Sequence, residues 1–383
     1  MQNTESESAL NALIRTNFDQ WLELGGGADH DLSGSGVVDE AFDLVNLQMG
    51  SGEVIYGMPF GKYNDTVGSI ALRRRVGQLL QCKEDEVLIT YGATEALGLY
   101  FLTGLQRRRK VVVVTPTFHT LVDIPAFLGF EVLRVGMDVC CPSGLDLEKI
   151  EKYVGSDTLC IVVTIPNNPT GFAIGEHDVL GLINIASKQG CDILVDETYR
   201  FIDWEGKCRR VLDMLDSYEL TLGAGSLCKT FGAPGLRIGW LRGRRDVISA
   251  AHETKNLFTF SVPSVLDAMA LHILSKHENI IRLWKDKVIE NFEIFSEWAY
   301  RSASCETMTK PDGGVTVFPK LAPMNGRIAE HLLLAERILV TPGRFFDHPM
   351  HVRINLAVPG EQLIRCLESI DVVHRSSPSV RTC

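Results

Sequence analysis

The sequence predicts an α/β fold whose large domain holds a mostly parallel seven-stranded sheet between helices. From about residue 87 to 240, short β-branched runs alternate with amphipathic stretches of helical length, which is typical of strands joined by helical crossovers. Several runs lead directly into Gly, Pro, Asn, Asp or Ser. Open α/β sheets bind ligands at that carboxyl edge, so we expect the functional site there. The predicted strands are 87–90, 110–115, 131–135, 158–164, 192–195, 221–226 and 238–241.

The composition is that of a globular protein with more than one domain. At roughly 150 residues per domain, 383 residues correspond to two or three domains. Hydrophobic residues make up 45% and charged residues 22%, which argues against a disordered chain or a coiled coil. The net charge of −10 disfavours nucleic acid as the main partner.

The sequence also carries expectations about location and metals. The N-terminus is acidic and lacks the apolar segment of a signal peptide, and the apolar runs are too short to cross a bilayer. The ten cysteines are scattered without a Cys-x-x-Cys spacing, which suits a reducing compartment. The ten histidines show no spacing typical of metal ligands. We therefore expect a cytoplasmic protein with no membrane contact and no metal site.

Three units are expected along the chain. Residues 1–45 are predicted to form an arm that packs on the small domain and the active site, with an amphipathic helix over 7–24 and a flexible joint at Gly25-Gly26-Gly27. Residues 46–275 are the large domain. Residues 276–383 are a smaller α+β domain, in which a long helical stretch (about 262–301) is followed by apolar runs at 315–318, 338–340 and 351–356. The tail from Arg375 onward is expected to fray.

Lys229 is the first candidate for chemistry. It follows a predicted strand, three residues after Ser226 and eight before Arg237. A lysine at the carboxyl edge of a sheet, close to a serine and an arginine, suits a Schiff-base nucleophile beside an anion site. Taken alone, such a lysine is more often a solvated surface residue.

Three further motifs end predicted strands. They are Pro-Asn-Asn-Pro-Thr-Gly at 166–171, Asp-Ile-Leu-Val-Asp-Glu-Thr-Tyr at 192–199 and Tyr-Gly-Ala-Thr-Glu-Ala-Leu at 91–97. Each has an ordinary explanation by itself: a turn, a solvated acidic pair and a helix cap. All three motifs and the Lys229 segment lie at the carboxyl edge of the predicted sheet. We therefore expect that their occurrence together reflects a common functional site.

Together these motifs resemble the pyridoxal-phosphate enzymes of fold type I, specifically the class I and II aminotransferases, from about Asp31 to Ala357. The resemblance implies pyridoxal 5'-phosphate as cofactor, held by Lys229 as a Schiff base. After release, Lys229 would move the Cα proton. Asp196 would keep the pyridine nitrogen protonated, so that the ring accepts electrons from Cα. The resemblance also implies that Asn168 and Tyr199 hydrogen-bond the ring hydroxyl oxygen and that Phe118 stacks on the ring.

The resemblance also implies sites for the phosphate and the substrate. Gly92, Ala93 and Thr94 open a predicted helix, whose N–H groups and dipole favour an anion, and Ser226 and Arg237 would complete that cradle.

Two further positions match family motifs. Tyr63, in Tyr-x4-Gly-x3-Leu-Arg, matches a tyrosine that reaches the neighbouring subunit's phosphate site, which implies a homodimer. Arg353, in His-Val-Arg-Ile-Asn, matches the arginine that grips the substrate α-carboxylate with a two-pronged hydrogen bond.

Two segments depart from the common pattern. Leu121 stands where most members have a second aromatic residue beyond the ring-stacking position. The segment 31–37, Asp-Leu-Ser-Gly-Ser-Gly-Val, is more similar to the branch of capreomycidine synthase, enduracididine cyclase and arginine oxidases. That likeness suggests Ser35 and Glu23 as substrate-binding residues, since an acidic side chain pairs with a guanidinium group. Glu23 alone would more often be a solvent-facing residue.

The motifs leave the reaction open. An aminotransferase acting on an L-α-amino acid is slightly favoured by its frequency in the family. The alternative is a cyclase acting on a hydroxyarginine, or an arginine oxidase, because these enzymes share the residues that contact the cofactor. A ligand-sensing module of a DNA-binding regulator would need a further domain before Asp31, where only about 30 residues stand, so we do not expect it.

Overall fold

The computed structural model describes residues 13–14, 16–36, 63–140, 144–322 and 326–376. Its helices are α1 (Phe18–Glu23), α2 (Ile70–Leu80), α3 (Gly92–Gly104), α4 (Thr120–Phe127), α5 (Leu147–Tyr153), α6 (Glu176–Gln189), α7 (Lys207–Asp216), α8 (Arg245–Asn256), α9 (Ser264–Ser275), α10 (His277–Arg301), α11 (Ile328–Glu336) and α12 (Gly360–Ser376). Its strands are β1 (His30–Asp31), β2 (Val87–Thr90), β3 (Lys110–Thr115), β4 (Glu131–Gly136), β5 (Thr158–Thr164), β6 (Asp192–Asp196), β7 (Thr221–Ser226), β8 (Gly239–Arg242), β9 (Cys305–Thr307), β10 (Thr316–Val317), β11 (Lys320–Leu321), β12 (Ile338–Leu339), β13 (Thr341–Pro342) and β14 (Val352–Asn355).

The predicted seven-stranded sheet is confirmed. Its strand order is β2-β8-β7-β6-β5-β3-β4, and β8 alone runs antiparallel to its neighbours. All seven strands begin and end within one residue of the predicted bounds. Strands β5 and β6 are buried along their whole length, because helices cover both faces of the sheet. This is why their sequences are continuous apolar runs rather than alternating ones.

Two helical layers enclose the sheet. Helices α3 and α8 pack on each other and on one face, where Tyr100, Phe101 and Ile248 are buried. Helices α6 and α7 cover the other face, with Leu182 and Val211 buried against the strands. The carboxyl ends of the parallel strands therefore remain open at one edge.

The C-terminal part combines helices with small sheets. The stretch predicted as one helix over 262–301 forms two, α9 and α10, which meet at Lys276. Strand β14 lies between β10 and β13 in a three-stranded antiparallel sheet, and β9 pairs with β11. Helices α11 and α12 pack on each other.

The N-terminal arm differs from its prediction in two respects. Helix α1 begins at Phe18, because the Asn17 side chain caps it by accepting a hydrogen bond from the Gln20 amide (2.8 Å). Residues 7–12 and 15 of the predicted helix lie outside the described residues, while Leu13 and Ile14 are helical. The expected joint at Gly25-Gly26-Gly27 belongs to a 3₁₀ helix, Leu24–Gly27. Strand β1 then pairs with β12, which ties the arm to the C-terminal part.

Among the helices described, none combines the length and the apolar character needed to cross a membrane.

Candidate active site

Lys229 lies just beyond the carboxyl end of β7 and is half-buried. Gly36 of the arm packs against it so closely that a Cβ atom there would be 3.2 Å from the Lys229 Cδ. Burial lowers the pKa of Lys229, and the Arg353 and Arg237 guanidinium groups lower it further. A larger share of neutral amine makes this lysine a better nucleophile and base.

Asp196 ends β6, the strand beside β7, and is buried. Its Oδ1 accepts hydrogen bonds from the Thr198 amide (3.1 Å) and hydroxyl (2.6 Å). Burial raises the pKa of the Asp196 carboxyl, although these hydrogen bonds oppose the shift. A cation placed against this carboxylate would favour its ionised form, and a protonated ring nitrogen is such a cation.

A cationic corner forms where α3 begins. Gly92 adopts the left-handed conformation (φ +77°), and a Cβ atom there would lie 2.8 Å from the Arg237 Nη2. A Cβ atom at Gly239 would lie 2.4 Å from the Gly92 carbonyl carbon, so both positions require glycine. Ala93 and Thr94 complete the first turn of α3, whose positive dipole end adds to the arginine charge. This combination suits a phosphate group.

Ser226, the last residue of β7, is buried. Its hydroxyl oxygen accepts a hydrogen bond from the Cys228 amide (3.3 Å), which fixes the start of the loop that carries Lys229. The hydroxyl proton remains able to donate to an anion.

Arg353 lies on β14 and is 1% exposed. Its Nη1 donates to the Asn168 Oδ1 (2.9 Å), and its Nη2 donates to the Ser33 carbonyl (2.7 Å) and the Thr341 hydroxyl (3.2 Å). All three acceptors are neutral, and within the described part of the chain the buried Nε has no hydrogen-bond partner. Burial lowers the pKa of Arg353 to about 10, so it stays charged at neutral pH.

Asn168 and Tyr199 are both buried, and each is hydrogen-bonded within the protein. The Asn168 oxygen is engaged by Arg353, which leaves its amide nitrogen as the group able to donate to a cofactor oxygen. The Tyr199 hydroxyl donates a short hydrogen bond to the Ser35 carbonyl. Burial raises the pKa of Tyr199 to about 12, which keeps it a hydrogen-bond donor at neutral pH.

The aromatic position expected at the cofactor face, Phe118, is half-buried and makes an edge contact with Phe18 of α1 (ring centroids 5.6 Å apart). Leu121, which stands in place of a second aromatic residue, is fully buried in the core between α4 and the sheet.

Two candidates lie farther out. Tyr63 is 86% exposed and contacts only the Phe260 ring among the described aromatic residues (5.4 Å). Glu23, at the end of α1, is exposed. Their roles stay predictions.

The sequence comparison then decides the family. Residues 24–370 match the family model described as aminotransferase class I and II. The chain belongs to this family.

Relatives of this aminotransferase-family protein include enzymes of two kinds. It is 26% identical to capreomycidine synthase of Streptomyces vinaceus over 286 residues, covering 74% of this chain and 73% of that one. It is 24% identical to aspartate aminotransferase of Thermotoga maritima over 370 residues, covering 96% and 94%. The crystal structure of a PLP-dependent aminotransferase from Streptococcus suis 89-1591 superposes with a TM-score of 0.82 at 26% identity, covering 95% and 98% of the two chains.

The aminotransferase family uses pyridoxal 5'-phosphate, and the described residues fit that cofactor. The fit rests on three observations: the glycine-lined cationic corner between Gly92 and Arg237, the buried Asp196 that forms no salt bridge with any described residue, and Lys229 with its lowered pKa. No group of three or more metal-ligating side chains occurs within the described ranges.

Sequence reasoning missed several contributors to the aminotransferase site. Thr198 had a local signal, because an Asp followed two residues later by Thr favours a side-chain turn. Ser33 lies in the segment 31–37 and Thr341 in the family-like segment Val-Thr-Pro-Gly at 340–343, but their contacts with Arg353 arise only through the tertiary fold, and no short motif marks Phe18.

Proposed function

We propose that this protein is a pyridoxal-phosphate-dependent aminotransferase that acts on an L-α-amino acid. The observation that carries the proposal is the state of Arg353, a buried cation whose acceptors among the described residues are all neutral and whose Nε has no partner among them. A buried donor without a partner costs about 1–3 kcal/mol, so this site favours a ligand that restores the hydrogen bond. The α-carboxylate of an amino acid supplies both the negative charge and the acceptors.

The remaining residues have roles that follow from their chemistry. When bound, the cofactor supplies an electron sink for the charge left at Cα. Lys229 removes the Cα proton and returns it, and its lowered pKa increases the share of neutral amine that can act as the base. Asp196 would hold the proton on the ring nitrogen of the bound cofactor. Tyr199 stays protonated because its pKa is raised, so its hydroxyl group remains a hydrogen-bond donor.

A cyclase acting on a hydroxyarginine is the second candidate. It is favoured by the similarity to capreomycidine synthase and by the position of the described segment 31–36. Asp31 holds Ser33 through its amide and hydroxyl (2.8 and 2.7 Å), and Ser33 and Gly36 then contact Arg353 and Lys229. The segment that resembles the cyclase branch thus lines the reacting centre.

A single-turnover experiment separates the two reactions. The purified enzyme with bound cofactor is mixed with a panel of amino acids, including arginine and hydroxyarginines, but without a keto acid. An aminotransferase converts the cofactor to its amine form, one to one with a keto acid. Repeated turnover with the aldehyde form restored, and a product lighter by water or altered by oxygen, would establish the cyclase or oxidase instead.

Lys229→Ala tests the shared chemistry. We expect the loss of the covalently bound chromophore and of activity. Covalent attachment that survives in this variant would contradict the assignment of Lys229.

We also propose that the protein is a cytoplasmic homodimer in which Tyr63 reaches the neighbouring site. The exposed Tyr63, Leu257, Phe258 and Phe260 supply apolar surface suited to a second copy. The described cysteines are all free, which suits a reducing compartment. The proposed boundary between the large domain (46–275) and the small domain (276–383) coincides with the junction of α9 and α10, and the arm contacts both the small domain and the site.

A further inference from the structure

We propose that Phe18 of the arm is a specificity-determining residue that closes the carboxylate site, and that Arg344 is the positioning residue that holds it there. This inference rests on the proposed role of Arg353 in binding the substrate carboxylate. It concerns residues that no sequence motif marked.

Phe18 covers the Arg353 guanidinium. The guanidinium carbon lies 5.6 Å from the centre of the Phe18 ring and 5.4 Å from that of Phe346. Phe18 itself is 6% exposed and contacts Phe118, the residue expected at the cofactor face. One aromatic side chain therefore connects the carboxylate site with the cofactor face.

Phe18 also separates Arg353 from open space. A cavity of about 920 Å³ between α1, α3 and α4 is lined by Phe18 and Phe346, while Arg353 does not line it. Removal of the Phe18 ring would expose the guanidinium to water in that cavity. A dry site strengthens the attraction between a carboxylate and a guanidinium.

The position of Phe18 also bears on substrate choice. A substrate held by its carboxylate at Arg353, with Cα near Lys229, has Phe18 and Phe118 as neighbours. The aromatic wall favours an apolar part of the substrate next to Cα and limits its bulk.

Helix α1 cannot hold this position alone, because six residues are too few for a stable isolated helix. Its anchor is Trp21, which is fully buried and donates from Nε1 to the Val340 carbonyl (2.8 Å). Arg344 lies over the Trp21 ring (5.2 Å from its centre) and donates to the Leu13 carbonyl (3.1 Å) and the Thr16 hydroxyl (3.3 Å). Arg344 thus contacts the arm before α1 and within it.

Glu330 of α11 fixes Arg344 in turn. Its buried carboxylate accepts a hydrogen bond from the Arg344 Nη1, and Arg344 also lies over Phe345 (4.5 Å). The chain of contacts runs from Glu330 through Arg344 to Trp21, and α1 then presents Phe18 to Arg353. Arg344 itself contacts none of the residues assigned to the cofactor.

The experiment compares Phe18→Ala, Phe18→Leu, Arg344→Gln and Arg344→Lys in the cofactor-loaded enzyme. Arg134→Gln is the matched control, because Arg134 lines the same cavity but pairs with Asp347 (3.0 Å) rather than with the arm. The readouts are KM and kcat for one good amino acid substrate, the ranking of a panel, cofactor affinity, and amide hydrogen exchange of residues 16–24.

We expect Phe18→Ala and Arg344→Gln to raise KM roughly tenfold or more, equivalent to about 1.4 kcal/mol, with kcat and cofactor affinity nearly unchanged. Phe18→Ala should move the ranking toward bulkier amino acids, and Phe18→Leu should do so less. Arg344→Gln should speed exchange over 16–24, Arg344→Lys should restore part of the affinity, and Arg134→Gln should match wild type.

Unchanged KM and ranking in both Phe18 variants would overturn the role of Phe18. A raised KM in Phe18→Ala together with unchanged KM and exchange in Arg344→Gln would overturn the positioning role of Arg344. Arg353→Ala, measured in the same series, separates these failures from that of the proposed function, because an unchanged KM there would remove the carboxylate site itself.

Discussion

Two arginines, Arg242 and Arg353, are almost completely buried in this protein, yet their surroundings are opposite. Arg242 on β8 donates to both oxygens of Glu197 (2.7–3.1 Å) and to Asp216 (2.7 Å). These carboxylates raise the pKa of Arg242, despite its burial. Among the residues that the structure describes, Arg353 has only neutral acceptors and its Nε has no partner, and burial lowers its pKa to about 10.

The difference shows how a structural cation and a binding cation can be told apart inside one fold. Removing a charge from water costs several kcal/mol, and fixed carboxylates offset that cost for Arg242. At Arg353 the protein leaves the cost partly uncompensated. We propose that a substrate carboxylate supplies the missing negative charge, so that arginine is a structural support at position 242 and a binding residue at position 353.

The largest expected effect is the loss of substrate binding in Arg353→Met. Removal of two charge-assisted hydrogen bonds, each worth about 1.5–3 kcal/mol, should lower kcat/KM on the order of 1,000-fold or more. The free energy of unfolding should change by less than about 2 kcal/mol, since no fixed carboxylate is left unpaired. Steady-state kinetics measures kcat/KM, and urea unfolding measures the free energy of unfolding. A kcat/KM equal to that of wild type would show that the comparison assigns Arg353 wrongly.

Arg242→Met should lower the stability of the protein and leave its activity nearly unchanged. It leaves Glu197 buried with only Arg200 as its cation (2.9 Å), so the free energy of unfolding should fall by about 3–5 kcal/mol. Activity per folded molecule should stay near that of wild type. The double variant Arg242→Met, Glu197→Gln should recover part of the lost stability. A double variant no more stable than Arg242→Met would contradict the ion-pair explanation.

The pH dependence of stability tests the ion pairs of Glu197 with Arg242 and Arg200. Burial alone would raise the pKa of Glu197, but Arg242 and Arg200 lower it to about 2, from an ordinary value of 4.5. A lowered folded-state pKa stabilises the protein above pH 4.5, and this contribution is lost as the pH falls through about 2. The stability difference between wild type and Glu197→Gln should therefore be largest above pH 4.5 and shrink below it. Urea titrations at several pH values measure it, and a pH-independent difference would contradict the lowered pKa.

The smallest expected effect is stabilisation by a simple carboxylate. At ten times its Kd, propionate should stabilise the wild-type enzyme by about 1.4 kcal/mol, seen as a rise in Tm. Arg353→Met should show no rise, and Arg242→Met should keep it, starting from a lower Tm. If propionate raised the Tm of Arg353→Met as much as that of the wild type, it would bind at a site other than Arg353.

The sequence was sufficient for the central sheet and for the residues at its edge. Strands such as β5 and β6 are local apolar runs, and the ends of β6 and β7 carry the motifs of Asp196 and Ser226, so pattern and position coincide. The cationic corner was also predictable, because Gly92 and Arg237 belong to recognisable segments.

The substrate side of the site was not predictable to the same depth. Arg353 was found by its motif, but its partners Ser33 and Phe18 come from the arm, and their contacts depend on how that arm packs. The described part of the predicted arm helix is helical at Leu13 and Ile14, interrupted at Thr16 and Asn17, and helical again from Phe18, where the Asn17 side chain caps α1. Lys276 likewise separates two helices in a stretch whose apolar pattern is continuous.

The hydrogen bonds of Arg353 also bear on how the protein is made. They join positions 320 and 185 residues apart in sequence, at Ser33 and Asn168. Apart from Tyr63, the residues proposed to bind the cofactor lie between Gly92 and Arg237, so this part of the site leaves the ribosome well before Arg353 does. Because domains generally fold as units during synthesis, we expect the nascent chain to form the proposed cofactor site first. The proposed carboxylate site would then be a late product of translation, and a chain truncated before β14 would lack it entirely.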